Sequence, residues 1–305
     1  MKLQVRTYRN EEDYWRIRHF LRKVYLLNGR RQLSWEIVRF DYWRWHINAN
    51  IFHFPLEETI FICETSDGQI AAVLNPDGKN EAFLQVHPTL RTAALEEEMI
   101  SMAEERLMPW GEGGKFQIWA DAHDTVRREI LMQRGYTKGD WPEYQRRRTL
   151  DLPIADAPIA TGYTVRALGD RDEHPARSWV SWKAFHPDEP DEHYQGWDWY
   201  QNVQRAPLYR RDLDIVAVAP DGKFAAFCTV WFDDVTRTGV FEPVGTAPAH
   251  QRRGLGKAVM SEGLRRLQRL GATLATVGSY SAEAGALYAS MGFTEYDLSE
   301  RWIKV

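Results

Sequence analysis

Apolar and polar residues recur along the chain with two different periods. Short segments in which every second residue is apolar predict strands, whereas longer segments with apolar residues three or four positions apart predict amphipathic helices. These segments follow one another as strand, two helices, hairpin, strand, helix, strand, helix and closing strands, and the order occurs twice. The pattern predicts an α/β (α+β) fold made of two copies of a mixed sheet with helices on both faces.

Short matches in the same order and at similar separations indicate that the two halves are copies of one fold. The matching segments are Val5-Arg6 and Val165-Arg166, Asp67-Gly68 and Asp221-Gly222, Val86-His87-Pro88 and Thr246-Ala247-Pro248, and Arg134-Gly135-Tyr136 and Met291-Gly292-Phe293. A stretch at 151–158, rich in Pro, Ala and Asp, has the composition of a linker. We therefore predict one domain over residues 1–150 and a second over residues 160–305.

Several local assignments define the predicted packing. Residues 34–47 predict one helix, and residues 92–107 predict another with Glu96, Glu97 and Glu98 on its solvated side. Residues 144–150 are predicted to close the first sheet. Residues 293–297 and 301–305 predict two final strands of the second sheet.

The composition narrows the class of protein. The chain has 305 residues, 44% of them hydrophobic, and a formal net charge of −4. Neither half has the excess of Lys and Arg that is typical of nucleic-acid-binding proteins. The sequence has no apolar run long enough for a membrane span, and its amino terminus lacks the apolar segment of a secretory signal. A cytoplasmic protein that binds neither nucleic acid nor membrane is the expectation.

The cysteines and histidines do not show the patterns typical of disulfides or metal sites. Cys63 and Cys228 both lie inside apolar runs, which predicts buried strand thiols. The nine histidines show no ligand spacing such as H-E-x-x-H. We therefore expect no metal site.

The most informative stretch runs from Phe241 to Ala258. A strand is followed by a turn at Pro248, a basic loop Gln251-Arg252-Arg253-Gly254-Leu255-Gly256, and a predicted helix over residues 255–270. Glycines allow close approach of a ligand to the backbone, and the N–H groups at a helix start bind anions. Together with Lys257, this predicts a phosphate or pyrophosphate site. The alternative is an ordinary basic β–α loop.

The loop differs from two common phosphate-binding motifs. Lys257 is followed by Ala258 where a P-loop requires Ser or Thr, and no third glycine follows Gly254 and Gly256 as in G-x-G-x-x-G. The spacing [QR]-x-x-G-x-[GA] instead resembles the acyl-CoA pyrophosphate loop of the GNAT acyltransferase superfamily. Residues 281–293 are similar to that superfamily's N-x-x-A-x-x-L-Y-x-x-x-G-F pattern, with Ser281 in place of Asn. The resemblance covers residues 162–305.

This resemblance implies two tandem GNAT folds, each a mostly antiparallel sheet flanked by helices, and acetyl-CoA as the acyl donor. It places the backbone of Val244-Gly245-Thr246 against the pantetheine arm of CoA. The residues that it implies for CoA binding are Val244, Gly245, Thr246, Gln251, Arg252, Arg253, Gly254, Leu255, Gly256, Lys257, Ala258, Ser281 and Tyr288.

Two residues are candidates for acid–base catalysis. Glu242 lies two residues before Val244, hence on its side of a regular strand, and could accept the proton of an amine. The alternative is a solvated carboxylate or one paired with arginine. The resemblance implies that Tyr288 is the general acid for the leaving thiolate, and the alternative is a packing tyrosine.

The first copy lacks these features. The segment after Pro88 contains no glycine, and Leu131 stands at the position that matches Tyr288. We therefore expect a degenerate first domain and a catalytic second domain, as in tandem members of the superfamily such as mycothiol synthase.

The acceptor is less defined. The acidic segment His186–His193 would suit a cationic amine, but it could also be a solvated loop, and Trp182, Trp197 and Trp199 could line a pocket or pack elsewhere. We expect an N-acetyltransferase for a small amine, as a monomer or homodimer. The alternatives are another acyl group, a sugar-linked amine, and a non-catalytic acyl-CoA-binding or regulatory protein.

Overall fold

The computed structural model describes residues 3–110 and 113–305. The chain forms two compact units, the first from Met1–Tyr144 with Asp297–Val305 and the second from Gln145–Tyr296. The chain thus enters the second unit after Tyr144 and returns to the first after Tyr296. The sequence did not indicate this return.

The strands of the described residues are β1 (Leu3–Thr7), β2 (Phe61–Thr65), β3 (Ile70–Gly78), β4 (Glu81–Val86), β5 (Phe116–Asp121), β6 (Thr137–Lys138), β7 (Glu143–Thr149), β8 (Thr164–Ala167), β9 (Asp214–Val218), β10 (Phe224–Asp233), β11 (Thr238–Thr246), β12 (Leu274–Ser279) and β13 (Glu295–Lys304). The α-helices are α1 (Glu11–Leu27), α2 (Ile37–Tyr42), α3 (Leu56–Thr59), α4 (Ala93–Arg106), α5 (Thr125–Gln133), α6 (His174–Phe185), α7 (Asp198–Gln204), α8 (Leu255–Arg269) and α9 (Ala282–Ser290).

The first unit is a sheet with helices on both faces. Its strand order is β1-β2-β3-β4-β5-β13, with β6 beside β13. Only β4 and β5 pair in parallel in this part of the described chain, and the other pairs are antiparallel. Apolar residues of α4 and α5 pack on one face and those of α1 and α2 on the other, with Met99 and Ile17 fully buried in the respective cores.

The second unit repeats this arrangement. Its strands are ordered β8-β9-β10-β11-β12, followed by residues 145–149 of β7. Strands β11 and β12 pair in parallel, and β8 to β11 pair antiparallel. The core contains Phe241 of β11, Leu264 of α8 and Tyr288 of α9. The predicted fold class, a mostly antiparallel sheet flanked by helices in each copy, is confirmed.

The prediction that residues 144–150 close the first sheet was wrong, because residues 145–149 of β7 belong to the second unit.

Two further element assignments were also wrong. Residues 34–47 are not one helix, because the Ser34 hydroxyl accepts the Val86 N–H and the Trp35 N–H donates to the Gln85 side chain. These bonds fasten the segment to β4, so helix α2 begins only at Ile37 and continues as a π-helix over Trp43–Phe52. The two predicted final strands are one strand, β13, whose residues 299–304 pair with β5 of the first unit.

Two other sequence observations have structural counterparts. Cys63 and Cys228 are free and buried on strands, as predicted. Burial raises the pKa of Cys63 to about 11 and the pKa of Cys228 well above its ordinary value, so neither is a thiolate near neutral pH. Among the described helices, none is both long and apolar enough to cross a membrane.

The return of the chain to the first unit predicts a specific effect on stability. Trp302 of β13 is 4% exposed and belongs to the core beneath α4. Trp302→Ala should lower the free energy of unfolding by about 3–5 kcal/mol, because it leaves a cavity in that core. Urea denaturation followed by circular dichroism measures this. The control is Val305→Ala on the same segment, since Val305 is 94% exposed. Equal stability of the two variants would contradict the placement of β13.

Candidate active site

The loop before α8 has a backbone that requires glycine at one position. Gly254 has φ +78°, and a Cβ there would lie 2.7 Å from the carbonyl oxygen of Pro158. Gly256 is less constrained, because a Cβ would meet the end of the Leu287 side chain at 3.3 Å. Substitution of Gly254 would therefore disturb the backbone as well as any bound anion. The contact with the linker at Pro158 was not visible in the sequence.

The first turn of α8 has free backbone donors. Gly254 precedes the helix and provides no side-chain cap. The first intrahelical acceptor, the Gly254 carbonyl, binds the N–H of Ala258 at 3.0 Å, so the N–H groups of Leu255, Gly256 and Lys257 have no partner within the helix. The side chains of Leu255 and Ala258 are buried. Two residues predicted to bind CoA are thus restricted. The amide of Ala258 already donates to the Gly254 carbonyl, and Leu255 can contact a ligand only through its amide N–H.

The side chains around these amides are basic. Arg252, Arg253 and Lys257 are exposed, and none has an ion-pair partner among the residues that the structure describes. Gln251 donates to the Thr246 carbonyl at 3.4 Å, which fastens the loop to the end of β11. Helix amides and unneutralised cations together form an anion site of the kind that binds phosphate. A pyrophosphate therefore fits the residues present.

Strand β11 diverges from its parallel neighbour beside this loop. Pairing with β12 ends at Val240 and Thr276 in the described chain, whereas β11 continues to Thr246. The β12-facing edge of Val244–Thr246 is therefore open to another hydrogen-bonding chain. Gly245 allows a close approach on the other side, because a Cβ there would lie 2.6 Å from the Phe227 ring and 3.0 Å from Ala184 of α6.

Glu242 lies at an irregularity of β11 that the sequence did not reveal. The register with β10 shifts so that Glu242 and Pro243 together face Thr229. The side-chain alternation of a regular strand therefore does not apply, and Phe241 and Val244 both pack on the same core. The Glu242 carbonyl accepts the Trp231 indole N–H at 2.5 Å. Its side chain is half-buried.

Tyr288 and Glu242 interact electrostatically. Burial raises the pKa of the Tyr288 phenol well above its ordinary value, and the Glu242 charge raises it further. Tyr288 is 7% exposed, and its phenol is consequently neutral near neutral pH and can donate its proton in a hydrogen bond. The effect on the pKa indicates that the Glu242 carboxylate lies within electrostatic range of the phenol.

Ser281 has a structural role. It caps α9, and its hydroxyl oxygen accepts the Ala284 N–H at 3.2 Å. The hydroxyl proton and the second lone pair of the oxygen remain available for a ligand.

The equivalent place in the first unit is neutralised by the protein's own carboxylates. Glu96 of α4 was predicted to be solvated, but it is fully buried and pairs with Arg91 at 2.5 Å and Arg127 at 2.9 Å. Asp124 also pairs with Arg91, at 2.6 Å. Leu131, at the position of Tyr288, is fully buried. The arginines beside the start of α4 are therefore already paired with carboxylates of the protein.

One carboxylate of the predicted acceptor segment pairs with a lysine of α6, and another lies near a histidine. Lys183 donates to Asp191 at 2.9 Å, and Glu189 lies 3.7 Å from His193. The Trp182 ring contacts Tyr194 at 5.7 Å between centroids, whereas Trp197 and Trp199 contact His174 and Tyr200. The negative charge is thus partly compensated, as in a solvated loop, and the three tryptophans do not form one cluster.

Comparison with known proteins agrees with this geometry. The model of the acetyltransferase (GNAT) family matches residues 175–293, within the second unit. A mycothiol acetyltransferase of Kineococcus radiotolerans is 28% identical over 243 residues, which cover 74% of each chain. A mycothiol acetyltransferase of Pseudarthrobacter chlorophenolicus is 24% identical over 249 residues, which cover 76% of this chain and 72% of the relative.

Solved structures share the fold over nearly the whole chain. A GCN5-related N-acetyltransferase from Sphaerobacter thermophilus has a TM-score of 0.68 and 17% identity, covering 99% of this chain and 95% of that one. A tandem GNAT protein from the clavulanic acid biosynthesis pathway has a TM-score of 0.68 and 15% identity, covering 99% and 98%. Residues 175–293 therefore match the acetyltransferase (GNAT) family, and the fold of the whole chain is similar to that of a tandem GNAT protein.

Proposed function

We propose that the second unit transfers an acetyl group from acetyl-CoA to the amine of a small acceptor. One observation carries the proposal: three features needed for this reaction occur in the same unit. The unneutralised cations beside the first turn of α8 suit the pyrophosphate. The open edge of Val244–Thr246 suits the amides of the pantetheine arm, and the neutral Tyr288 phenol suits the leaving sulfur.

The reaction breaks a thioester bond and forms an amide bond. The amine nitrogen attacks the carbonyl carbon, the carbon–sulfur bond breaks, and the sulfur leaves with the electron pair. An alkyl amine is neutral in only about one molecule per few thousand at pH 7, so its proton must be removed. We assign this step to the Glu242 carboxylate, directly or through a water molecule.

Tyr288 is assigned to the leaving group. Its phenol would donate a hydrogen bond to the sulfur as negative charge develops, and its proton would complete the thiol. The raised pKa means that the phenol releases this proton reluctantly, so we assign most of its effect to the hydrogen bond. The nitrogen of a protonated amine loses two protons on the way to the amide. Glu242 takes the first and passes it to solvent so that the nitrogen can attack, and the second, lost from the nitrogen after attack, balances the proton delivered to the sulfur.

The first unit is proposed to be a degenerate domain without a part in the chemistry. Its Arg91 is paired with Glu96 and Asp124, and Leu131 cannot donate a proton. The catalytic contribution of the chain would therefore come from residues 160–305.

The names of the relatives favour a second, narrower candidate acceptor. Proteins called mycothiol acetyltransferases match most of this chain, which supports a sugar-linked amine as the acceptor. A thiol-release assay with acetyl-CoA and a panel of glucosamine, a cysteinyl-glucosamine conjugate, spermidine and lysine separates this candidate from a general alkyl amine. CoA binding without thiol release from any of them would favour the non-catalytic alternative.

Removal of the Tyr288 hydroxyl should slow the chemical step. Tyr288→Phe should lower kcat by about 100-fold, the lower range for a positioned acid or base, with KM for acetyl-CoA changed by less than about 2-fold. Steady-state kinetics with the best acceptor of the panel measures both. Tyr136→Phe is the matched control, because it removes a hydroxyl from a buried tyrosine of the first unit. Equal kcat for wild type and Tyr288→Phe would refute the donor role.

The pH profile should rise without an alkaline limb. Above pH 7 the acceptor amine increasingly loses its proton, which raises kcat/KM. A raised pKa keeps Tyr288 protonated where an ordinary tyrosine begins to ionise, near pH ~10. We therefore expect kcat/KM to rise from about pH 7 to about pH 9.5 and not to fall. A falling limb in this range that is absent from Tyr288→Phe would contradict the protonated donor.

A further inference from the structure

The helix that carries Tyr288 is contacted by an arginine of the strand that enters the second unit. Arg146 of β7 donates from Nε to the Ser279 hydroxyl at 3.2 Å and from Nη1 to the Phe293 carbonyl at 3.4 Å. Ser279 ends β12 just before α9, and Phe293 follows α9. One guanidinium therefore connects the residues on both sides of this short helix.

Between these two bonds the guanidinium lies against the helix itself. A Cβ at Gly285 would lie 3.0 Å from Arg146 Nη2, closer than side chains normally approach. Gly285 and Tyr288 are the buried residues of α9, and positions three apart lie on one helix face. The arginine thus occupies the buried face one turn before the phenol, in space that the absence of a side chain at Gly285 provides.

We propose that Arg146 is a positioning residue for Tyr288. The inference rests on the proposed role of Tyr288 as donor to the leaving sulfur. The guanidinium sets the distance between α9 and the end of β12 and so fixes where the phenol lies. Lysine cannot replace it fully, because one ammonium lacks the planar donor geometry that reaches both Ser279 and Phe293.

The neighbouring residue supplies a matched control. Arg147 lies on the same strand, and its Nε is 3.3 Å from the carboxylate of Glu295, whose side chain is 76% exposed. Glu295 is the first residue of β13 and lies outside α9. Arg147→Ala therefore removes the same side chain from the same strand and breaks an exposed ion pair to β13.

A double-mutant cycle with Tyr288→Phe tests the proposal. Arg146→Ala should lower kcat at least about 10-fold, since small misplacement of a catalytic group is costly, with KM for acetyl-CoA within about 2-fold. In the Tyr288→Phe background the same change should lower kcat by less than about 2-fold, because the phenol is already absent. Arg147→Ala should leave kcat unchanged in both backgrounds. The assay measures release of CoA with the best amine of the panel. If none of the amines is a substrate, it measures hydrolysis of acetyl-CoA, with water as the acceptor.

Two further variants and one control cover the case in which Arg146→Ala does not fold. Arg146→Lys should give an intermediate loss. Gly285→Ala raises helix propensity yet should lower kcat by displacing the guanidinium, whereas Ala286→Gly, at an exposed position of α9, lowers propensity and should not.

The outcomes separate this inference from the proposed function. Three outcomes would overturn the positioning role alone. Arg146→Ala could lower kcat equally in both backgrounds, it could leave kcat unchanged as Arg147→Ala does, or it could raise KM for acetyl-CoA with kcat unchanged. If Tyr288→Phe has wild-type kcat, the donor role fails and the positioning role fails with it. If no CoA is released by the wild type, the proposed function itself is wrong.

Discussion

The amino-terminal end of α8 carries positive charge that no carboxylate of the described chain neutralises. Free N–H groups of the first turn lie beside Arg252, Arg253 and Lys257. Charges of one sign held close together repel, and a helix start attracts anions, so a bound anion would stabilise this end. In the first unit, the positive charge of Arg91 at the equivalent place is neutralised by Glu96 and Asp124. The contrast between two copies of one fold explains why one unit is suited to a phosphate ligand and the other is not.

The other parts of the candidate site lie on β11 and α9 of the same unit. Strand β11 leaves β12 after Val240, so its last residues present an open edge between the start of α8 and α9. The irregularity at Glu242 and Pro243 lets the strand pack Phe241 and Val244 on one core while Glu242 remains near Tyr288. Close packing at Gly245 and Gly285 fixes α6 and α9 against this framework. In the proposed reaction, the neutral Tyr288 phenol and the half-buried Glu242 carboxylate would carry the proton transfers.

Much of the fold and the anion site could be predicted from local sequence. Helix α8 begins at residue 255 as predicted, and Gly254 was identified because a helix start after a basic glycine loop is a local signal. The errors concern features that depend on distant residues. Glu96 looked solvated because its partners Arg91 and Arg127 come from a loop and another helix. Residues 34–47 looked helical because bonds to β4 cannot be seen locally. The run Arg146-Arg147-Arg148 was a signal that sequence reasoning passed over, since a strand with three arginines must place some of them against acceptors.

Calorimetric titration of the whole protein with acetyl-CoA, with the number of sites counted, tests whether the start of α8 anchors the acyl donor. We expect one site per chain. Lys257→Glu should weaken its affinity at least about 10-fold, since charge-assisted hydrogen bonds are each worth about 1.5–3 kcal/mol, whereas Lys223→Glu should not. Lys223→Glu is the matched control because it introduces the same change of charge at an exposed position of a hairpin turn. Two sites per chain, or an affinity that Lys257→Glu leaves unchanged, would contradict this anchoring role.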